Sequence, residues 1–62
     1  MTPDEFAHWR KVIMKITKAK AASLLGLHRN TIYYYESGLQ TIDIRTRLAM
    51  AALSLGLRDY EI

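Results

Sequence analysis

Residues 17–38, with the sequence TKAKAASLLGLHRNTIYYYESG, constrain the fold more than any other part of the chain. They predict two short helices that meet at a glycine turn. Ala22 lies one turn before the end of the first of these helices, where only a small side chain leaves room for a crossing helix. Gly26 suits the left-handed conformation that ends many helices. Ile32 then falls on the inward face of the second helix, spaced to fill the gap beside Ala22.

Two helices that cross at such a turn form a helix-turn-helix, a motif whose second helix enters a DNA groove. A chain of 62 residues has room for one domain around this motif, spanning residues 1–62. Half of the residues are hydrophobic and none is cysteine, so packing rather than disulfides or cysteine-bound zinc must stabilise the fold. No strand pattern, repeat or secretory signal is apparent, and we expect an all-α, cytoplasmic protein.

The distribution of charge is more informative than the net charge of +3. No acidic residue lies between Glu5 and Glu36. The cations within that interval are Arg10, Lys11, Lys15, Lys18, Lys20 and Arg29. Such a field attracts polyanions and overlaps the predicted helix-turn-helix, although a solvated lysine-rich surface would show the same composition.

A first helix is predicted from a Thr-x-x-Glu capping box at Thr2 and Glu5, with Pro3 at its first position. It should end near Met14 or Lys15. Spacings of three and four residues place one set of side chains on its inward face: Phe6, Trp9, Arg10 and Ile13.

The three later helices follow from their caps and apolar positions. Thr17 caps the second, which runs to Leu25 with Ala21, Ala22 and Leu25 inward, and Leu27 plugs the turn. The third begins at His28 or Arg29 and closes at Gly38, with Ile32 and Tyr35 inward. Asp43 caps a fourth, which runs to about Leu55 and stops at Gly56, with an apolar stripe of Leu48, Ala49, Ala52 and Leu53.

These motifs, taken in order, resemble the lambda-repressor-like (Cro/CI or XRE) family of helix-turn-helix proteins. The resemblance lies in Phe6-x-x-Trp9-Arg10, Thr17-Lys18-x-x-Ala21-Ala22, Leu25-Gly26-Leu27, Thr31-Ile32 and Tyr35-Glu36-Ser37-Gly38, and continues more weakly through Ile42 and residues 48–53. It implies a compact bundle of four to five short helices and a transcriptional regulator. It also implies an ion pair between Arg10 and Glu36 that ties the third helix to the first.

The chain departs from the family pattern at three places. Met14-Lys15-Ile16 replaces the usual glycine-containing turn between the first two helices and is one residue longer. Lys18 stands where glutamine is frequent. His28 stands where the third helix usually has a serine or threonine cap, and histidine is a weaker cap.

The outer face of the third helix supplies the predicted base contacts: His28, Arg29, Asn30, Tyr33 and Tyr34. Arginine pairs with guanine and asparagine with adenine through two hydrogen bonds each. The resemblance implies base contact by Tyr34, whereas Tyr33 has a surface or phosphate contact as an equal alternative.

Phosphate contacts are predicted for Thr17, Lys18 and Lys20 at the start of the second helix, and the resemblance implies a second clamp at Thr41 and Arg45. Because one helix-turn-helix contacts too few base pairs to select a genomic site, we expect a homodimer on an inverted-repeat operator, acting as a repressor. The predicted dimer contacts are Leu53, Leu55, Leu57, Tyr60 and Ile62.

Other functional classes find less support in the sequence. His8 and His28 are the only histidines and lie on different predicted elements, and the serines have no base beside them. We therefore expect no enzyme, metal, cofactor or small-molecule ligand. The longest late uncharged run, residues 48–57, has about half the length that spans a bilayer, so no membrane partner is expected. The alternative function is a protein-binding helical module, such as an antitoxin or adaptor, that uses Tyr33, Tyr34 and Leu39.

Overall fold

The computed structural model describes residues 1–57, and every regular element in that range is helical, as the sequence predicts. Helix α1 spans Pro3–His8 and continues as a π-helix over Trp9–Met14. Helices α2, α3 and α4 span Lys18–Leu25, Arg29–Ser37 and Ile44–Ser54. Residues 1–57 contain no strand. Of the four to five helices that the resemblance implies, residues 1–57 contain four, with the π-helical segment counted as part of the first.

The capping box predicted for α1 is present. The Thr2 hydroxyl accepts a hydrogen bond from the Glu5 backbone N–H at 3.1 Å, and the Thr2 N–H donates to the Glu5 carboxylate at 2.8 Å. The hydrogen bond from the Thr2 backbone lowers the pKa of Glu5 below its ordinary value of 4.5. The ionised Glu5 carboxylate therefore stabilises the start of α1 in two ways: it accepts the Thr2 hydrogen bond, and its negative charge lies at the positive end of the helix dipole.

The π-helical segment corrects one predicted core position. Ile13 was predicted to face inward, but it is 57 % exposed, and Met14 packs against the core instead. The reason is the wider turn: i to i+5 hydrogen bonding places the residue five after Trp9, rather than four, on the inward face. The segment ends at Lys15, the one non-glycine residue of the described chain with a positive φ (φ 56°, ψ 48°). The longer connection thus uses a lysine in a left-handed conformation that glycine adopts more easily.

The cap of α2 and the glycine turn between α2 and α3 are those that the sequence predicts. Thr17 caps α2 by accepting from the Lys20 N–H at 3.1 Å, and Gly26 ends it with φ 68°. The Leu27 N–H donates to the Ala22 carbonyl at 2.9 Å, which closes the turn. Ala21 and Ala22 are buried in the core, and α2 contacts α3.

Helix α4 turns part of its predicted apolar stripe toward the core: Ala49, Ala52 and Leu53 are half-buried, and Leu53 packs against the core. Asp43 caps it as expected, accepting from the Thr46 N–H at 2.9 Å. Leu48, predicted to lie inward, is 63 % exposed, whereas Thr46 and Met50 are buried. Apolar residues occur on every side of this helix, so periodicity alone does not choose the buried face. The buried Thr46 hydroxyl is satisfied by the Tyr35 hydroxyl at 3.2 Å.

The core contains residues from every helix and from the loop before α4. Its buried hydrophobic members are Phe6, Trp9, Ala21, Ala22, Ile32, Tyr35, Ile42 and Met50. The Phe6 ring lies 5.7 Å from the Trp9 ring and 5.4 Å from the Tyr35 ring, both in tilted contacts that aromatic pairs favour. The Trp9 indole N–H donates to the Ser54 hydroxyl at 2.8 Å, which joins α4 to the π-helical segment. This core fixes the inner sides of α3 and α4.

Candidate nucleic-acid interface

Helix α3 has one buried side and one solvent-facing side. Ile32 and Tyr35 are buried, as the sequence predicts. The four side chains predicted to contact bases from within α3, namely Arg29, Asn30, Tyr33 and Tyr34, are all exposed. The exposed side therefore carries a guanidinium, an amide and two phenol groups on a rigid helix.

The start of α3 is set by His28, whose side chain the sequence marks as a weak cap. Its Nδ1 accepts a hydrogen bond from the Asn30 backbone N–H at 3.0 Å. This bond requires an unprotonated Nδ1, since an imidazolium only donates. The Nε2 atom of His28 takes no part in this bond. His28 is exposed and directly precedes the exposed Arg29 and Asn30. Histidine has neither the hydroxyl nor the carboxamide of the usual cap residues, so sequence patterns underestimate this cap.

Arg10 and Glu36 form an ion pair that ties α3 to the π-helical segment. The Arg10 Nε lies 2.6 Å from one Glu36 carboxylate oxygen, and Nη2 donates to the other at 3.0 Å. Nη1 donates to the Ile16 carbonyl at 3.0 Å. Both side chains are about nine-tenths buried. Paired in this way, the guanidinium fixes the end of α3 relative to the start of α2.

Lys18 and Tyr33 make a contact that the sequence did not predict. The Lys18 Nζ lies 5.4 Å from the centre of the Tyr33 ring, within the range of a cation–π interaction. The Tyr34 ring meets Tyr33 edge-on, with centres 6.1 Å apart. Two predicted site residues from different helices are thereby brought together. Because the two residues are fifteen positions apart and on different helices, no helical periodicity relates them. Their contact depends on how α2 and α3 cross.

The first turns of α2, α3 and α4 contain cations and no acidic residue. Lys18 and Lys20 lie at the start of α2, Arg29 at the start of α3, and Arg45 and Arg47 at the start of α4. The positive end of each helix dipole disfavours these cations. At α2 and α3 a neutral cap leaves the other first-turn N–H groups beside positive side chains, a combination that suits an anion such as phosphate. At α4 the Asp43 carboxylate already caps the first turn and lies near Arg45 and Arg47.

Other predicted contact residues lie on different parts of the surface. Thr17 is exposed, but its hydroxyl oxygen is used in capping α2, and Thr41 is exposed in the loop before α4. Of the predicted dimer contacts, Leu53 is half-buried and packs against the core, whereas Leu55 and Leu57 are 78 % and 56 % exposed. Tyr60 and Ile62 lie outside the described residues.

Within residues 1–57, no three histidine, aspartate or glutamate side chains approach closely enough to hold a metal ion. None of the helices in this range has the length and apolar character needed to cross a bilayer. Comparison of the chain with protein-family models, with curated proteins and with solved structures finds no match.

Proposed function

We propose that this chain is a sequence-specific, double-stranded DNA-binding transcriptional regulator with α3 as its recognition helix. The observation that carries the proposal is the two-sided character of α3. Ile32 and Tyr35 are buried in the core, while Arg29, Asn30 and Tyr34 face solvent. Buried anchors on one side and groove-compatible donors on the other are what a recognition helix requires.

The exposed groups of α3 suit base edges in the major groove. Arg29, at the first position of α3, has the planar fork that donates twice to guanine O6 and N7. Asn30 pairs its carboxamide with adenine N6 and N7, and the Tyr34 ring suits a thymine methyl group. Each good bidentate pair discriminates by about 1–3 kcal/mol against a wrong base. Sequence preference should therefore depend most on Arg29 and Asn30.

The cations that flank α3 supply the phosphate contacts of this proposal. Lys18 and Lys20 at α2, with Thr17, form one clamp, and Thr41 with Arg45 at the start of α4 forms the second. Clamps on both sides of a recognition helix would fix its register along the groove without specifying bases. The cost of positive charge at helix starts is offset once a phosphate binds there.

Homodimerisation on an inverted repeat is the second part of the proposal. Helix α4 leaves a solvent-facing apolar stripe, in steps of one helical turn, made of Ile44, Leu48, Ala51 and Leu55. Burying a large aliphatic side chain contributes about 1.5–3 kcal/mol, and association of two free molecules costs about 4–15 kcal/mol, so three partly exposed side chains per copy leave only a small surplus. The dimer should consequently be weak in solution and form mainly on the operator, acting there as a repressor in the cytoplasm.

Selection of bound duplexes from a random library at physiological salt tests the proposal. We expect an inverted repeat whose half-site changes when Arg29→Ala or Asn30→Ala is used as the bait. Leu39→Ala, which alters a 73 % exposed side chain outside α3, serves as the control and should select the wild-type sequence. Enrichment of no sequence at all would refute the proposal.

The salt dependence of binding separates this function from a protein-binding module that uses Tyr33, Tyr34 and Leu39. With three cations per copy on phosphates, the affinity of a dimer should fall about 10³-fold between 50 and 200 mM salt, because each phosphate contact releases a counterion. An aromatic protein interface would respond little to the same change. A flat salt profile for the tightest partner found would thus favour the protein-binding module.

A further inference from the structure

Lys18 carries its positive charge at a helix start, where the helix dipole disfavours a cation. Lys18 is the first residue of α2, whose first turn has no acidic residue. The positive end of the helix dipole repels a cation there. Even so, Lys18 is half-buried, while its neighbours Lys15 and Lys20 are exposed. Lys18 therefore differs from these neighbours in packing more of its surface against the protein.

The face of the Tyr33 ring attracts the Lys18 ammonium. The ammonium lies 5.4 Å from the ring centre, and aromatic faces carry the negative part of the ring quadrupole. The Tyr34 ring lies edge-on to Tyr33 on α3, at 67° with its centre 6.1 Å away, and no contact of Tyr34 with the Lys18 ammonium accompanies it in the described residues. Tyr33 stays 54 % exposed, so its ring covers the lysine and still borders the predicted DNA surface.

We propose that Tyr33 is a positioning residue, which holds the Lys18 ammonium in place for a phosphate of the DNA backbone rather than contacting a base itself. This inference rests on the proposed function and assigns one role to a residue with two sequence-based interpretations. It also links the two helices, because a phosphate bound at the start of α2 depends on a side chain of α3.

The physical basis of this role is preorganisation. A free lysine side chain has about 2 kcal/mol of rotamer entropy, part of which is lost when its ammonium binds a phosphate. The cation–π contact restricts the side chain beforehand and uses none of the three N–H donors of the ammonium. Phosphate binding then costs less entropy. Because the contact touches no base, it should strengthen binding to all DNA sequences alike.

The first test compares Tyr33→Phe, which keeps the ring, with Tyr33→Leu, which removes it. In the free protein, NMR should show an upfield ring-current shift of the Lys18 ε-methylene protons in wild type and Tyr33→Phe. The shift should disappear in Tyr33→Leu. Thermal melting of Tyr33→Leu should match wild type, since the side chain lies outside the core. An unchanged Lys18 shift in Tyr33→Leu would overturn the inference without any DNA experiment.

The second test measures affinity for the selected operator and for an unrelated duplex. A contact of about 0.5–1 kcal/mol corresponds to a loss of about 2- to 5-fold per bound copy for Tyr33→Leu, equal on both duplexes. Tyr33→Phe should stay within 2-fold of wild type. Lys18→Met should reduce the magnitude of the slope of log affinity against log salt by about 0.9 per bound copy, or about 1.8 for a dimer, and the additional effect of Tyr33→Leu should vanish in the Lys18→Met background.

The outcomes separate the two proposals. A changed base preference in Tyr33→Leu would show that Tyr33 contacts a base. An unchanged affinity of Tyr33→Leu would show that Tyr33 does not position Lys18. Either result refutes this inference while the proposed function stands. Failure of wild type to bind any duplex would refute the proposed function and, with it, the role of Tyr33 toward phosphate. Tyr34→Leu is the matched control: it should alter the selected half-site and leave the Lys18 shift in place.

Discussion

Removal of the Arg10 guanidinium should destabilise the domain more than any surface substitution. The substitution Arg10→Met keeps the length and apolar stem of the side chain but leaves the Glu36 carboxylate, about nine-tenths buried, without its partner. Breaking a buried pair in this way costs about 3–5 kcal/mol. The Ile16 carbonyl also loses its donor. For a chain of 62 residues, the total free energy of unfolding is about 3–9 kcal/mol, so the loss is comparable with the whole.

The double variant Arg10→Met/Glu36→Leu distinguishes the charge effect from a packing effect. It removes both charges, and replacement of a buried ion pair by apolar residues is often nearly neutral. We expect thermal unfolding followed by circular dichroism to show a midpoint more than about 10 °C lower for Arg10→Met, at about 4–8 °C per kcal/mol. The double variant should recover most of that loss.

Two results would contradict this reasoning. A double variant no more stable than Arg10→Met would show that the guanidinium matters for packing rather than for its charge. Loss of operator affinity with unchanged melting of Arg10→Met would mean that Arg10 contacts a DNA phosphate instead of holding α3. Our expectation is that stability and affinity fall together, because α3 loses its fixed orientation.

Three further predictions concern local features. Lys15→Gly should raise the free energy of unfolding by up to about 1 kcal/mol in urea denaturation, because φ is 56° there, while Lys15→Ala should give no gain; a less stable glycine variant would contradict this. The pKa of Glu5 is lowered by the Thr2 backbone, so its carboxylate stabilises the fold above pH 4.5; the melting advantage of wild type over Glu5→Gln should shrink as pH falls below 4.5, and a pH-independent gap would refute it. Tyr35→Phe should cost about 1–2 kcal/mol by leaving the Thr46 hydroxyl unpaired, and Thr46→Val added to it should recover part of this in the same assay; an unchanged single variant would contradict the buried hydrogen bond.

The parts of the fold that sequence predicts well are those set by local chemistry. The starts of α1, α2 and α4 follow from oxygen side chains at Thr2, Thr17 and Asp43 that accept from backbone N–H groups nearby. The ends of α2 and α3 follow from Gly26 and Gly38 in left-handed conformations. These contacts span only a few residues, so the sequence alone contains the information.

Features that depend on a non-standard helix or on distant contacts escaped prediction. The inward turn of Met14 rather than Ile13 follows from π-helical hydrogen bonding, which a period of 3.6 residues does not anticipate. Apolar residues occur on several sides of helix α4, so periodicity does not identify Leu48 as exposed or Thr46 as buried beside Tyr35. In the candidate interface, the exposed face of α3 was predictable from Ile32 and its spacing. The Lys18 contact was not, because it depends on how two helices cross.

The hydrogen bond from Trp9 to Ser54 makes the fluorescence of Trp9 a probe of how α4 packs against the π-helical segment. Trp9 is the single tryptophan of the chain, it is 5 % exposed, and its indole N–H is bound at the last residue of α4. Separation of α4 from the π-helical segment would bring water to the indole and shift its emission to longer wavelength. Fluorescence of the unlabelled protein should accordingly distinguish undocking of α4 from fraying elsewhere, and the same signal will report whether self-association through α4 disturbs its inner face.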